Sequence, residues 1–530
     1  MSKNNKYTEE QINFVKDLVE QGFQVTPSTE KMCLHFNIKY KESLGRVFRD
    51  KMQKLGITNN VAKVEDTDVF KEAQNKQHDK TKQRFIIGWG QAETKVHTQL
   101  LKNIECYAKE IDASIHIIAG RYKSPISLKG SKDLAKNEKN TKLFWAEELL
   151  PYLDAARHKI HKHLCILSDV KVQPTASTPL SGMNGITGLE SCIIGHPRVH
   201  LKSLPVLEGY PNKLILTTGA VTLENYTDSK SGKKGEFHHQ FAFVIVELDG
   251  DIFHVRQIIA SNDGSFYDLH NFVDKETVFL HSGAEAIIFG DLHLTEEDEQ
   301  AVNTSFEIAE KLNVKHNIIL HDTFNGTSIS PHESKSPFKQ LKKEESGLDN
   351  LENELLYVKN FFNSKKDCNF ISVCSNHDLW LDRWLNDVDW RKSRNKKMYL
   401  ELASSLSKDT ENKGVLSMYL KQNNIDNVRC LGINDSYIVL GNELAIHGHQ
   451  GVAGSRGSII QFKNINTKNI TGHSHNPTRE DGAVVVGTLT KLRLSYNTGL
   501  SSWLHSNAVI FPNGKVQQIH VINGKYTTLN

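Results

Sequence analysis

Several features are missing from this 530-residue chain, and each absence narrows its class. No apolar run approaches the roughly 20 residues a membrane helix needs, and the polar start, residues 1–10, lacks the apolar core of a signal peptide. No membrane partner is therefore expected, and a cytoplasmic location is. The seven cysteines, at 33, 106, 165, 192, 368, 374 and 430, form no paired spacing, so reduced, buried thiols are expected rather than a disulfide framework. A large excess of one charge is also lacking: the formal net charge is +3. Nucleic acid is neither demanded nor excluded by that balance, and any DNA-binding surface must come from local patches. The glycines around Gly88 and Gly90 fit no nucleotide fingerprint and read as structural.

What is present fits a soluble globular chain of two to four domains, with 38% hydrophobic and 24% charged residues. Residues 1–59 read as a small helical module. Thr8, Glu9, Glu10 and Gln11 have the form of a capping box, Ile12, Val15, Leu18 and Val19 follow at helical spacing, and further helices are predicted over 28–36 and 40–55. The third carries Lys41, Arg46, Arg49, Lys51 and Lys54, as a helix-turn-helix DNA reader would, but so would a plain three-helix cap or oligomerisation module. Residues 60–82 are polar without apolar period and read as a linker. A central α/β domain, 83–280, opens with a strand at Phe85, Ile86 and Ile87, a helix over 96–111 and a strand over 115–119. Strand, helix, strand at this length implies parallel pairing. More strands are predicted at 164–167, 214–217, 241–248 and 252–259, the last two joined by an Asp249-Gly250 turn. Gln91, His97, Arg121, Tyr122 and Lys123 lie on its loops, but they imply no activity; shaping a substrate groove or a homo-oligomer contact is the modest reading.

The informative stretch begins at Ala286. There the apolar run Ala286, Ile287, Ile288, Phe289 meets Gly290 and delivers Asp291 and His293 to the end of a predicted strand. The pattern recurs four times. Ile318, Ile319 and Leu320 lead to His321, Asp322 and Asn325; residues 370–373 lead to Ser375, Asn376, His377 and Asp378; Leu444, Ala445 and Ile446 lead to His447 and His449; Ile470 leads to His473 and His475. Any one of these reads equally as a capped turn or a hydrogen-bonded core histidine. Five in order point to one polar site beyond the carboxyl ends of the strands, where open α/β sheets bind their ligands. Helices over 296–312 and 348–363, and strands from 483 onward with a Pro512-Asn513-Gly514 turn, suit a two-sheet α/β sandwich over 281–530.

Over residues 284–503 these motifs resemble those of the calcineurin-like metallophosphoesterases: Asp291/His293, Asp322 with Asn325, Asn376/His377/Asp378, His447, and His473/His475. His321 and Ser375 depart from the pattern, standing where that family usually has glycine. The resemblance implies two divalent ions: Asp291, His293 and His475 on the first, Asn376, His447 and His473 on the second, and Asp322 bridging. Mixed oxygen and nitrogen ligands suit transition metals, manganese first, better than calcium. Such a pair activates a hydroxide and stabilises the charge of in-line displacement at phosphorus. His377, with Asp378 to orient it and favour its protonated form, is expected to protonate or stabilise the leaving oxygen. His321 and His449 are expected to support ligands rather than bind metal.

The substrate is less directly implied. The third motif ends in Asp378 and the first reads Asp-x-His-Leu, as in the branch resembling SbcD-type double-strand-break repair nucleases. In overall layout the chain is also similar to the pre-early DNA-degrading nucleases of T5-like bacteriophages, which would place it in host cytoplasm. Trp380, Trp384 and Trp390 interleave with Arg383, Arg391, Lys392, Arg394, Lys396 and Lys397, either as core packing with a solvated face or as a clamp on a DNA backbone. A metal-dependent DNase is the leading expectation. A phosphomonoesterase or small-molecule phosphodiesterase is the alternative, and a non-catalytic DNA-binding protein a third.

Overall fold

A computed structural model describes residues 7–20, 25–55, 66–122, 145–333, 336–465, 467–494 and 496–529. Lys123 lies outside them. By internal contacts the chain divides into two units, Met1–Phe70 and Lys71–Asn530.

The first unit packs helices Glu9–Glu20, Val25–His35 and Glu42–Lys54 around Val15, Met32, Leu44, Phe48 and Met52. The capping box forms as expected: Gln11 N–H donates to Thr8 Oγ1 at 3.3 Å, and Thr8 N–H to Gln11 Oε1 at 3.2 Å. Lys41, Arg46, Arg49 and Lys54 are exposed. Residues 66–74, expected to be linker, form a helix, Asp66–Gln74.

Among the described residues the second unit holds four sheets. In the five-stranded one, Arg84–Gln91 and Ala113–Gly120 pair in parallel across the crossover helix Thr98–Glu110, and the hairpin Ala242–Asp249/Ile252–Ile259 adds antiparallel strands beside Arg84–Gln91. Next in the chain comes a three-stranded antiparallel sheet, Phe266–Asp268, Asn271–Asp274 and Thr277–Leu280. In the six-stranded sheet the parallel set Ala286–Ile288, Ile318–Leu320, Phe370–Ser372 and Val428–Cys430 is completed by the antiparallel hairpin Ser506–Ile510/Val516–His520.

The fourth sheet crosses the boundary expected at 280/281. Five of its ten strands come from 157–217 and five from 438–485, and they meet where Thr478 pairs with Lys202 and Arg479 with Leu201. The central region is thus one half of a sheet whose other half is C-terminal. An open sheet edge is costly, and here each region's edge covers the other's.

Two apolar layers position the ends of the strands. On one face of the six-stranded sheet Ile287, Ile318, Leu320 and Phe370 pack under helices Glu299–Lys311 and Leu351–Ser364. On the other face Ala286, Ile288, Ile319, Ile371 and Val373 meet Leu444, Ala445, Ile470 and Val484 of the ten-stranded sheet. At about 1.5–3 kcal/mol for each large aliphatic side chain buried, this second layer clamps the sheets face to face, so that strand ends from both open on the same space. All seven cysteines are unbridged. Among the described residues no helix is long and apolar enough to cross a membrane.

Candidate metal centre

The five strand ends do converge. Asp291, His293 and Asp322 leave the six-stranded sheet; His447, His473 and His475 come from the facing sheet. Their ligand atoms fall into two groups that share one carboxylate: Asp291, His293, Asp322 and His475 form the first, and Asp322, His447 and His473 the second, with all atoms of a group within 4.8 Å of one another. Asn376 joins the second group, its Oδ1 lying 3.1 Å from His447 Nε2. Asp322 Oδ2 lies 3.3 Å from His293 Nε2 and 3.2 Å from His447 Nε2, between the two groups.

The backbone is bent to achieve this. His293, Asp322, His473 and His475 have φ of 45°, 46°, 70° and 58°, the left-handed region that costs a non-glycine residue about 1–3 kcal/mol and that clusters at functional sites. Two glycines make room. A Cβ on Gly472 would strike the Asp291 carboxylate, and one on Gly290 would meet the Thr488 backbone within 3 Å. His321 and Ser375, which stand where the resembled family has glycine, are not among the positive-φ residues; the bend falls on Asp322 instead.

The electrostatics of the cluster call for a cation. Asp291 and Asp322 are buried, at 0% and 1% exposed, and among the described residues their ion pairs are all with histidines. Both Asp291 oxygens and Asp322 Oδ1 lack a hydrogen-bond donor, which for a buried carboxylate is expensive. His475 Nε2 lies 3.0 Å from Asp291 Oδ2 but without hydrogen-bond geometry. Burial pushes both carboxyls up, yet the surrounding imidazoles outweigh it, holding Asp291 below the ordinary value and Asp322 well below. Burial lowers His447, but Asp322 more than offsets this and raises it to about 9. Orphaned oxygens facing imidazole nitrogens are what a divalent transition metal accepts. The residues fit such ions.

Outer contacts fix the ring orientations. His293 Nδ1 lies 3.2 Å from Asn325 Oδ1, and the Asn325 amide donates to Thr327 Oγ1 at 2.6 Å, which sets its oxygen toward His293. His293 Nε2 is thereby left to face the cluster. His447 Nδ1 is backed by His321 Nδ1 at 3.3 Å, matching the supporting role expected of His321. His449 is half-buried with neither ring nitrogen bonded, beside His447 and His473. Trp503 packs on His475 at 4.1 Å between ring centroids.

His377 stands beside the first group, its ring 4.6 Å from that of His293. The expectation that Asp378 orients it is overturned. Nδ1 of His377 donates to the main-chain carbonyl of Asn325 at 2.5 Å, since a carbonyl only accepts, and the ring lies on Trp380 at 3.9 Å. Asp378 is the first residue of helix Asp378–Asp387 and turns the other way: it accepts from Ser375 N–H at 3.0 Å, while its own N–H donates to Ser375 Oγ at 3.1 Å. Burial depresses the His377 imidazole to about 3 and raises the Asp378 carboxyl to about 7. His377 is therefore neutral at neutral pH, with Nε2 as its free lone pair. Sequence reasoning reads Trp380 as core packing or a clamp and misses its contact with His377, as it misses the Asn325 carbonyl; the i, i+3 spacing of His377 and Trp380 on one helix start is the available signal.

The basic and aromatic segment is more neutral than its sequence suggests. Arg391 and Lys392 pair with Asp389, Arg394 with Glu344 and Asp349, and Lys397 with Glu352. Trp380 is buried, and Trp390 stacks on Tyr399.

Compared with known proteins, the chain is similar to Protein A1 of Escherichia phage T5, at 29% identity over 469 residues, covering 84% of this chain and 82% of that protein. No family model matches. No solved structure matches.

Proposed function

We propose that this protein is a metal-dependent phosphodiesterase acting on DNA, a DNase of a phage-infected bacterium. The observation that carries the reading is the pair of ligand groups sharing Asp322, because a bridged pair is the arrangement that phosphoryl transfer by two metals requires. In this reading Asp291, His293 and His475 hold one ion, Asn376, His447 and His473 the other, and Asp322 spans both. Bound there, two divalent transition-metal ions, manganese first, would supply activation of water and charge stabilisation at phosphorus. The chain's own residues do the rest. Asn325 and His321 keep His293 and His447 turned so that their Nε2 atoms face the centre. His377 Nε2 would exchange a proton with the leaving oxygen, a phosphodiester anion beside it raising its affinity for that proton.

DNA as substrate is supported by the exposed basic face of helix Glu42–Lys54, and a phage-infected bacterium as the setting by similarity to a phage protein over most of the chain. The paired charges around Arg391 favour a second reading, a small phosphodiester as substrate. The discriminating experiment offers the purified protein plasmid, linear duplex, single strand, p-nitrophenyl phosphate and bis-p-nitrophenyl phosphate, each with manganese, magnesium or chelator. Cleavage of DNA with manganese, abolished by chelation and falling steeply with salt, is expected. Full activity after exhaustive chelation would exclude the metal reading, and turnover of small esters alone the DNA reading.

A further inference from the structure

A second cluster of metal-ligand type lies in a part of the chain to which no role has been assigned. His116 sits on strand Ala113–Gly120, Asp154 on the two-residue edge strand Leu153–Asp154, and His158 on Arg157–His161, the end strand of the ten-stranded sheet. Strand Lys468–Thr471, which leads to His473, is seven strands away in the same sheet. At about 4.8 Å per strand the two clusters are more than about 30 Å apart along it.

All three side chains are buried, at 1%, 0% and 4% exposed. Asp154 Oδ2 lies 2.7 Å from His116 Nδ1 and 2.8 Å from His158 Nε2. The three ligand atoms fall within 4.8 Å of one another. One side of the cluster is closed by Phe85 of the sheet core, whose ring is 5.9 Å from His116. His158 also lines a cleft of about 760 Å³, with Lys76, His78 and Lys80 on the turn after helix Asp66–Gln74 and with Arg157 and Lys159. His78 packs edge-on to His158 at 5.5 Å.

We propose that His116, Asp154 and His158 form a separate mononuclear zinc site whose fourth position opens to this cleft. Two imidazoles and one carboxylate with a position left for water is the ligand set of open zinc sites, whereas closed structural sites use four protein ligands. Zinc bonds of about 2.0–2.1 Å place tetrahedral ligand atoms about 3.3 Å apart. Both Asp154–imidazole pairs must then open by about half an ångström, a movement that Asp154, on a two-residue edge strand, can make. The inference does not depend on the Asp322 centre, and the two are separable by experiment.

Crystals of the wild-type protein grown with saturating zinc should show an anomalous peak at the zinc edge between His116 Nδ1 and His158 Nε2. In solution, the double variant Asp291→Asn/Asp322→Asn, which lacks the carboxylates of the other centre, should still bind one equivalent of cobalt(II) with the intense visible absorption of a four-coordinate ion. Adding His158→Gln should abolish that absorption. No anomalous density at this position would overturn the proposal and leave the cluster a hydrogen-bonded triad that anchors the sheet edge. Cobalt uptake by the double variant that is indifferent to His158→Gln would overturn it equally. The crystal measurement needs no variant, so a substitution that fails to fold does not shelter the idea.

Discussion

Two buried clusters of acid and base in this molecule are built on opposite principles. Around Arg256, itself fully buried, all four oxygens of Glu247 and Asp268 accept hydrogen bonds: Asp268 from Arg256 Nε at 2.8 Å, Gln517 at 2.8 Å and Tyr107 at 2.8 Å, Glu247 from Arg256, Thr527 and the Thr528 main chain. Around Asp322, three of the four oxygens of Asp291 and Asp322 have no donor, and no arginine or lysine among the described residues pairs with them. In the first cluster the protein supplies a donor to every carboxylate oxygen, and the atom left over is Arg256 Nη1. In the second the oxygens left over face imidazole nitrogens, an arrangement that could hold a metal ion. Similar burial of similar groups thus gives two different arrangements, and between these two the difference lies in the orphaned oxygens rather than in the burial.

That contrast can be broken in four ways. Asp322→Asn should cost the most: removing the shared carboxylate should abolish stoichiometric metal binding and lower phosphodiester cleavage at least about a thousandfold, while the metal-free chain melts within a few degrees of wild type. A large loss of metal-free stability would instead make this centre structural. Arg256→Met should do the reverse, destabilising the fold by about 3–5 kcal/mol because two carboxylates are left buried and unpaired, with metal content per folded molecule unchanged. Acid should find the same cluster. Glu247 is held at about 2, burial being outweighed by Arg256, against an ordinary 4.5; the unfolded chain therefore binds the extra proton first. The stability is present above about pH 4.5 and lost as pH falls toward 2, about 3 kcal/mol in all. A urea titration at pH 6 and pH 3 reads it, and in Arg256→Met the difference should shrink. His377→Ala should be the mildest, lowering turnover by about a hundredfold with both metals retained; loss of metal would make His377 a ligand.

The residues brought together are legible in the sequence because each follows a short apolar run, so that local pattern and cluster coincide at Asp291, Asp322, Asn376, His447 and His473. What cannot be read there is what depends on distant partners. Strand Leu201–Leu204 carries no mark showing that it will pair with Thr478–Glu480, so the sequence places a domain boundary at a point the ten-stranded sheet spans. Arg394 and Lys397 look free in a local window, but their acids, Glu344, Asp349 and Glu352, lie more than forty residues earlier. His377 and Asp378 are adjacent in sequence, which suggests a pair; at a helix start consecutive side chains point about 100° apart, so one faces the metal groups and the other the turn at Ser375.

The hairpin at the end of the chain gives the strand order a consequence in time. Ala286–Ile288, which leads to Asp291, takes one neighbour from Ile318–Leu320 and the other from Ser506–Ile510, and the second leaves the ribosome long after the first. At about 5–20 residues per second, the strand bearing the first ligands waits on the order of tens of seconds for its far edge to be covered. His473 and His475 also emerge late in that interval. A chain assembled in this order lacks part of the cluster until residues 473 and 475 have been made. Ribosome-stalled chains ending before residue 470 should therefore bind no stoichiometric manganese, and tight binding by such chains would show that the early strands assemble the centre alone.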